Sequence, residues 1–411
     1  MSKQRIGRKE IDMPIILTFI IIYVSNDTLL FGTNVDRTFF WIHVGILLLT
    51  FLYLLSKTKT VSRQIFAVST LLTFMMVITG LVNWDTEIIK YLYNIFVVLL
   101  CMLFTSVIKR HVFFGSFSYI MSVLSTFSIA LFLLATAAHP LVRFFPTIEN
   151  ENYVRYHFLG LGFLESLNAG VLPRMYGIFR EPGVFATLLT MALIIELFFV
   201  ERLNAKRVIV FSVAVILTFS TAGYILLFSL YAVFLAKLIS RGSSRVSREI
   251  LLLLFLLMIG LVVFFLFIDM QTVIRVVFNK LFTVNSSRES RLGSIAANLR
   301  MFQENPLLGK GWYFVEDEFI GYSAMGTYRG EHNTNTFLKF MALYGIVPAF
   351  VMGVGMFLLF KRECKGNVLS FVIVFLWLVA LSNEDLSVNI LFYLLPMYGL
   401  YDQTIRIRRT R

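Results

Sequence analysis

Long apolar runs recur from one end of this chain to the other, and no other feature of the sequence constrains its fold as much. A run of about 18 or more apolar residues can cross the ~30 Å hydrocarbon layer of a membrane as a helix. Of the 411 residues, 58% are hydrophobic and only 15% are charged, which is unlike a soluble globular protein. The sequence therefore predicts an all-α, polytopic membrane protein.

The apolar runs predict about twelve transmembrane helices. Their predicted spans are Met13–Val24, Phe39–Leu55, Ile65–Val82, Ile88–Ile108, Val112–Ala138, Val184–Val200, Val208–Ser220, Tyr224–Ser240, Leu251–Ile268, Thr336–Phe360, Val368–Leu381 and Val388–Tyr401. Two connections far exceed the ~4–6 residues of an ordinary one; we call residues 139–183 the first long loop and residues 269–335 the second long loop. These loops separate N-terminal helices (1–138), central helices (184–268) and C-terminal helices with a basic tail (336–411).

Lysine and arginine collect in alternate connections between the predicted helices. Basic clusters occur near Lys57, Lys109, Arg202, Arg241 and Lys361 and at both termini, whereas the short connections between them are poor in cations. Because cations accumulate in cytoplasmic loops, both termini are predicted to be cytoplasmic and both long loops to face outward. The net charge of +13 follows from this topology and does not indicate a nucleic-acid partner. An apolar run follows the basic N-terminus without a small-residue cleavage site, which favours an uncleaved first helix.

Two arginines of the first long loop stand just before a predicted helix, in the segment RMYGIFREPGVF. Arg174 and Arg180 lie on the predicted outer side, where the charge pattern does not require them. Pro182 suits the first turn of a helix, and Glu181 complements its positive end. A helix N-terminus with arginines beside it forms a phosphate site. The alternative is that both arginines pair with Glu181 or with lipid headgroups.

The second long loop carries three more arginines in a segment of helical character. Arg288 and Arg291 are close enough in sequence to share a helical face or a turn into it, and Arg300 follows. Apolar residues at helical spacing run through Arg291–Gln303, namely Leu292, Ile295, Leu299 and Phe302. These arginines are candidate ligands for an anion. The alternative is an amphipathic helix at the membrane interface whose arginines reach headgroups.

His332 comes directly before the tenth predicted span. Its side chain could deprotonate or hydrogen-bond an acceptor hydroxyl near neutral pH, although a lone loop histidine is more often structural. Asn333 and Thr334 follow as plausible helix caps. This segment is therefore a candidate catalytic position.

Other polar features have simpler readings. The carboxylates Glu316–Glu318, and Glu384 with Asp385, could bind a divalent ion, but solvated acidic patches are commoner. Glu196 falls inside the sixth predicted span, where an ionisable group is a functional suspect, although it lies near the cytoplasmic end. The sequence has no zinc-type cysteine and histidine spacing, no glycine-rich phosphate loop and no serine-nucleophile motif.

Four segments between residues 174 and 350 contain most of these motifs. They are RMYGIFREPGVFATLL, FSTAGYILLF, SRLGSIAANLRMFQENPLLGKGW and HNTNTFLKFMALYGIVPAF. Taken in this order, they resemble the bacterial O-antigen polymerase and O-antigen ligase family. The third segment is the most specific, and the N-terminal helices resemble the family in hydropathy alone.

The resemblance implies an inverting, metal-independent glycosyltransferase of the GT-C type in the bacterial inner membrane, without a cofactor. Its substrate would be an undecaprenyl-pyrophosphate-linked oligosaccharide, and its product O-antigen, capsule or exopolysaccharide. Membrane lipids and a chain-length regulator are further implied partners. On this basis His332 and Arg291 are the predicted catalytic residues. The predicted substrate-binding residues are Arg174, Arg180, Arg288, Arg300 and Asn333.

Several functions stay open at this point. A polymerase would pass the glycan to the next lipid-linked repeat, and a ligase would pass it to a lipid A core. The spacing from Arg300 to Gly311 resembles the polymerases, and Gly345 lies further from His332 than is usual in the ligases. A secondary transporter would show internal repeats and broken helices at the midplane. A flippase of lipid-linked sugars would carry cations deep in the bundle.

Overall fold

The computed structural model describes residues 8–32, 37–137, 142, 144–149, 155–165, 174–200, 203–240, 286–325, 333–364 and 366–401. These residues are mostly helical, so the predicted all-α class is confirmed. Their helices are α1 (Arg8–Tyr23), α2 (Arg37–Lys57), α3 (Arg63–Val82), α4 (Ile88–Val107), α5 (Arg110–Ala137), α6 (Pro182–Ile194), α7 (Ala205–Leu217), α8 (Thr221–Ser240), α9 (Ser286–Glu304), α10 (Trp312–Asp317), α11 (Phe319–Ala324), α12 (Thr336–Tyr344), α13 (Ile346–Cys364), α14 (Asn367–Leu381) and α15 (Ile390–Leu400).

Six of the described helices are long and apolar enough to cross a membrane, which confirms the predicted polytopic membrane architecture. Their apolar spans are Phe39–Lys57, Arg63–Val82, Ile88–Val107, Arg110–Thr136, Pro182–Phe199 and Thr221–Ile239. Three further described helices are apolar but shorter, at Met13–Tyr23, Asn367–Leu381 and Ile390–Leu400. The ninth predicted span, Leu251–Ile268, lies outside the described residues.

The tenth predicted span, Thr336–Phe360, is two helices instead of one, because the chain breaks at Gly345 between α12 and α13. Gly345 has a φ of +79°, which an L side chain rarely adopts, and a Cβ there would overlap the backbone of Leu307. The residues around the break exchange backbone hydrogen bonds with the turn after α9, from Lys310 to the Ala342 carbonyl (2.8 Å) and from Ile346 to the Pro306 carbonyl (2.8 Å). We call this contact between residues 306–311 and 342–346 the glycine interlock.

The sixth predicted span corresponds to α6 and a π-helical turn, Ile195–Phe199. Glu196 lies in this turn and is buried. Its carboxylate accepts a hydrogen bond from Ser118 and pairs with Arg207 at 3.0 Å. An ion pair therefore compensates the charge that this carboxylate would otherwise bury.

The chain divides into two compact units. The first comprises residues 1–26, 38–117 and 286–411, and the second comprises residues 27–37 and 118–285. In the first unit α13 crosses α15 at a close approach, where a Cβ on Gly399 would overlap the Gly355 carbonyl. Small residues allow such approaches between helices in membranes.

Connections that the charge pattern predicts to be outside share one end of the first unit. The Thr79 hydroxyl near the end of α3 donates to the Leu308 carbonyl of the second long loop (2.7 Å). The Leu386 N–H between α14 and α15 donates to the Thr336 hydroxyl at the start of α12 (2.9 Å). The α3–α4 turn, the α14–α15 connection and the second long loop are thus gathered together.

Connections predicted to be cytoplasmic share the other end of this unit. Arg110, which begins α5, lies 2.7 Å from the Glu363 carboxylate near the end of α13. The Tyr398 hydroxyl near the end of α15 donates to the Ile108 carbonyl (3.0 Å). The contacts therefore agree with the alternation that the basic residues indicate.

The second unit has α6 at its centre. Every residue from Pro182 to Ile194 is buried, and α7 and α8 both pack against the helix. The first long loop adds a small antiparallel sheet in the order β1 (Thr147–Glu149), β2 (Arg155–Phe158) and β3 (Phe163–Glu165). This sheet was not predicted, because its strands are only three or four residues long.

Candidate functional site

Helix α9 in the second long loop carries three of the predicted site arginines. It packs through small and polar residues, since Ser294, Ala297 and Asn298 are fully buried. Arg291 lies three residues before Ser294 and seven before Asn298, so all three share one face of the helix. The apolar residues that the periodicity emphasised, such as Leu299, remain partly exposed. The buried face of α9 is therefore a polar one with Arg291 at its beginning.

The segment that follows His332 is bound along this polar face. The side chains of Asn298 and Asn333 exchange two amide hydrogen bonds of 2.9 Å each. The Thr334 N–H donates to the Ser294 hydroxyl at 3.1 Å. His332 itself lies outside the described residues, but its immediate neighbour is fixed to the helix face that carries Arg291.

The cap of α12 differs from the sequence prediction. Asn333 and Thr334 were the predicted caps, but the Asn335 side chain accepts the Leu338 N–H at 2.9 Å. The prediction was wrong because the Asn333 amide is already bound to Asn298. Asn335, which directly precedes α12, therefore caps the helix.

Arg288 and Arg300 occupy other positions on α9 than Arg291. Arg288 lies on α9 about one turn before Arg291, and its side chain is outside the described residues. Arg300 is nine residues beyond Arg291, about two and a half helical turns, and so projects from the opposite side of α9. Its guanidinium donates to the Tyr322 carbonyl at 3.1 Å. Arg300 thus ties α9 to α11 and does not share the polar face.

In the second unit, Arg180 binds two carboxylates. Its Nε lies 3.2 Å from Oδ1 of Asp27, which is 2% exposed, and its Nη1 lies 3.4 Å from Oε1 of Glu181. The Arg180 N–H also donates to the Asp27 carbonyl (2.9 Å). The predicted alternative of a pair with Glu181 is therefore present, and Asp27 is a second partner. Helix α6 begins at Pro182 directly after this pair.

Arg174 has a different environment. Its Nε donates to the Thr218 carbonyl at 3.4 Å. Among the described residues, no carboxylate lies within ion-pair distance of it. Burial and the neighbouring Glu165 raise the pKa of the nearby Tyr176 phenol, and the charge of Arg174 only partly offsets this rise. Arg174 is thus a partly buried cation in the first long loop beside a tyrosine.

Tyr176 belongs to a hydrogen-bonded cluster on the small sheet. Its hydroxyl donates to Oε2 of Glu165 at 2.5 Å, and its ring meets that of Tyr156 edge to face. Burial, followed by Glu165 and Glu181, raises the pKa of Tyr156 to about 12. Both tyrosines therefore stay protonated near neutral pH and can donate hydrogen bonds. This cluster links the surroundings of Arg174 and Glu181.

Each of the two acidic segments has one carboxylate bound to lysine, Glu316 in the first and Asp385 in the second. Lys339 of α12 is buried, with its ammonium 2.7 Å from Asp385 and 3.4 Å from Glu316. Lys90 also pairs with Glu316. Burial by itself would raise the pKa of Asp385, but Lys339 and the hydrogen bonds from Ser387 lower it. No group of three or more metal-ligating side chains occurs in the part of the chain that the structure describes.

Sequence reasoning did not single out Lys339 or Asp27, although the sequence carries a signal for each of them. Lys339 is a lone cation inside a predicted membrane span, FLKFMALYG, and such residues are functional or paired. Asp27 stands in a polar turn directly after an apolar run. Their partners are 46 and 153 residues away in the sequence, so the pairing itself could not be predicted.

The comparison with known families bears on the same region. Residues 207–352 match the family described as O-antigen ligase. The match contains α9, the glycine interlock and α12, and three of the four segments that carried the resemblance; the segment with Arg174 and Arg180 precedes it. No curated protein and no solved structure gives a significant match. The chain is thus a multi-pass membrane protein in which residues 207–352 are similar to the O-antigen ligase family.

Proposed function

We propose that this protein is an inverting, metal-independent glycosyltransferase that polymerises lipid-linked oligosaccharide repeats on the outer face of the bacterial inner membrane. The donor is an oligosaccharide on undecaprenyl pyrophosphate, and the product is a surface polysaccharide. The observation that carries the proposal lies inside the family domain. There the residue after His332 is bound to the face of α9 that carries Arg291.

The reaction requires little more than positioned charge and one base. The acceptor hydroxyl oxygen attacks the anomeric carbon while the bond from that carbon to the pyrophosphate oxygen breaks. His332 accepts the hydroxyl proton. The negative charge that develops on the leaving pyrophosphate is neutralised by Arg291 and Arg288. Fixed guanidinium groups in a site of low polarity stabilise such charge without a metal.

Arg180 and Arg300, which were also predicted to bind substrate, are already bound to oxygen atoms of the protein. Arg180 already binds Asp27 and Glu181, and Arg300 binds the Tyr322 carbonyl. They reach substrate only by giving up a protein oxygen. Asn333 acts by holding the segment after His332, since its amide is shared with Asn298.

The decisive experiment compares two arginines on opposite sides of one helix. Purified protein in liposomes is given undecaprenyl-pyrophosphate-linked repeat units, and product length is read on a gel. Arg291→Ala should lower the rate of polymerisation by about 10²–10³-fold, as expected for a lost anion-stabilising group. Arg300→Ala is the matched control, with a much smaller loss. Long chains from Arg291→Ala at the normal rate would remove Arg291 from the site.

A ligase is the second candidate, because the matching family is described as O-antigen ligase. The same liposomes separate the two functions. Elongation without any lipid A core acceptor supports the polymerase, whereas strict dependence on that acceptor supports the ligase. Movement of the lipid-linked sugar across the bilayer with no new glycosidic bond would instead indicate a flippase.

A further inference from the structure

Five large apolar side chains of the first unit are exposed on segments that contact or directly follow one another. They are Trp84 in the α3–α4 turn, Leu307 before the glycine interlock, Tyr313 on α10, Ile320 on α11 and Met325 just after it, and their exposed fractions range from 51% to 89%. We call this surface the apolar shelf. From the contacts that hold these segments, we infer that the apolar shelf lies in the interfacial layer of the outer leaflet. It would dock the second long loop onto the membrane surface.

The first step is that α10 is fixed to the membrane helices in one orientation. Gly311, which precedes α10, has no side chain to cap the helix, and the Asp85 carboxylate from the α3–α4 turn accepts the Tyr313 N–H instead (3.2 Å). The Tyr91 hydroxyl of α4 donates to the same carboxylate at 2.8 Å. The beginning of α10 is thus held by the end of the α3–α4 pair.

The inner side of α10 is fastened as well. Trp312 is buried and donates from Nε1 to the Tyr344 hydroxyl at 2.7 Å. The ammonium of Lys339 lies over its ring, 4.9 Å from the centroid. Glu316, one turn further along, pairs with Lys90 and Lys339. Because this side is bound so completely, Tyr313 on the outer side cannot turn inward without breaking these contacts.

The second step is the height of the shelf. Asp85 lies only three residues beyond the end of α3, so the Tyr313 backbone that it binds lies just outside the apolar layer. The interfacial layer is about 5–8 Å deep on each side of a bilayer, and tryptophan and tyrosine concentrate there. Trp84, with a φ of 50° that bulky residues rarely adopt, is turned outward at the same level.

The third step is continuity with the lipid-facing surface. Leu81 and Val82 at the end of α3 are exposed, as are Ile88 and Ile89 in the first turn of α4. On helices that cross a membrane such side chains face lipid. The shelf continues this surface beyond the turn. A lipid surface is therefore the occupant that fits the shelf, in preference to a second protein.

Site-directed spin labelling tests this inference in the whole protein without substrate, so its outcome is separate from that of the proposed chemistry. Ile320→Cys and Met325→Cys report on the shelf, and Gln303→Cys on α9 is an exposed control away from it. The native Cys101 and Cys364 are buried. Collisions with oxygen, which partitions into lipid, are compared with collisions with a water-soluble nickel chelate, in vesicles of bacterial phospholipid.

The ratio of oxygen to nickel collisions should be about threefold or more higher at both shelf positions than at position 303, as for side chains inserted into the interface. Equal ratios at all three positions would overturn the inference. Exclusion of both reagents from positions 320 and 325, or dipolar broadening between labels, would also overturn it, because a protein surface would then be the occupant.

Discussion

At Lys339, a single ammonium group joins two carboxylates that the sequence places far apart. Glu316 belongs to α10 and Asp385 to the α14–α15 connection, and both reach the same buried nitrogen on α12. Asp385 also accepts two hydrogen bonds from Ser387. This nitrogen therefore connects three segments that surround the start of α12.

Replacing Lys339 with methionine should destabilise the protein by about 3 kcal/mol, because the partly buried Asp385 carboxylate would lose its buried cation. The measurement is thermal unfolding in detergent. Lys310→Met is the matched control, since its pair with Glu304 is more exposed and should contribute only about 0–1 kcal/mol. Equal losses for the two variants would show that Lys339 has no special role.

The amide pair of Asn298 and Asn333 gives a second prediction at this scale. Asn298→Ala and Asn333→Ala should each lower the rate of product formation, because either change frees the segment after His332 from α9. The double variant should be little worse than either single variant, since both break one interaction. Fully additive losses, measured in the liposome assay, would mean that the pair does not act as a unit.

The residue scale also shows where sequence reasoning stops. The arginines of α9 and the start of α6 at a proline followed from local patterns. The cap of α12 did not, because the identity of the capping asparagine depends on Asn298, 35 residues before Asn333. The partners of Arg180 and Lys339 are similarly remote.

Among the elements, the break between α12 and α13 departs most from the sequence prediction. Hydropathy continues through Gly345, so the sequence predicted one span, Thr336–Phe360. The break comes from backbone hydrogen bonds to residues 306–311, which no local pattern encodes. The interlock explains the glycines at positions 309 and 345 of the two family-like segments, because a Cβ at either position would overlap the facing backbone.

Gly345→Ala should therefore lower the unfolding temperature strongly and reduce activity, because its φ is unfavourable for alanine and the Leu307 backbone blocks the new methyl group. Gly115→Ala in α5 is the control, since nothing lies within 4 Å of a Cβ there and alanine is about 0.5–1 kcal/mol better than glycine inside a helix. A Gly345→Ala protein as stable as the Gly115→Ala protein would contradict the interlock.

Across the whole molecule, the positions of the helices and the grouping of their connections were predictable. Apolar runs report on the membrane directly, and cation counts report on sidedness. In the first unit the contacts group the same connections that the cations grouped. Which end of the first unit faces the cytoplasm is inferred from the distribution of lysine and arginine alone.

Cysteine labelling checks that direction. Thr86→Cys in the α3–α4 turn should react with a membrane-impermeant maleimide added to intact spheroplasts, because this turn is predicted to be outside. Lys109→Cys, at the opposite end of α4, should react only after the membrane is opened. Both positions are exposed. The reverse result would place the arginines of both long loops in the cytoplasm and remove the proposed reaction from the outer face.

Helix α6 has a consequence for how the protein is made. Each of its residues from Pro182 to Ile194 is enclosed by protein, yet α7 and α8, which pack on it, are synthesised later. When α6 first leaves the translocon it is therefore coated with lipid on the sides that these helices will cover. These lipids must be displaced when α7 and α8 pack against α6. The packing around α6 is therefore complete only after translation has passed Ser240.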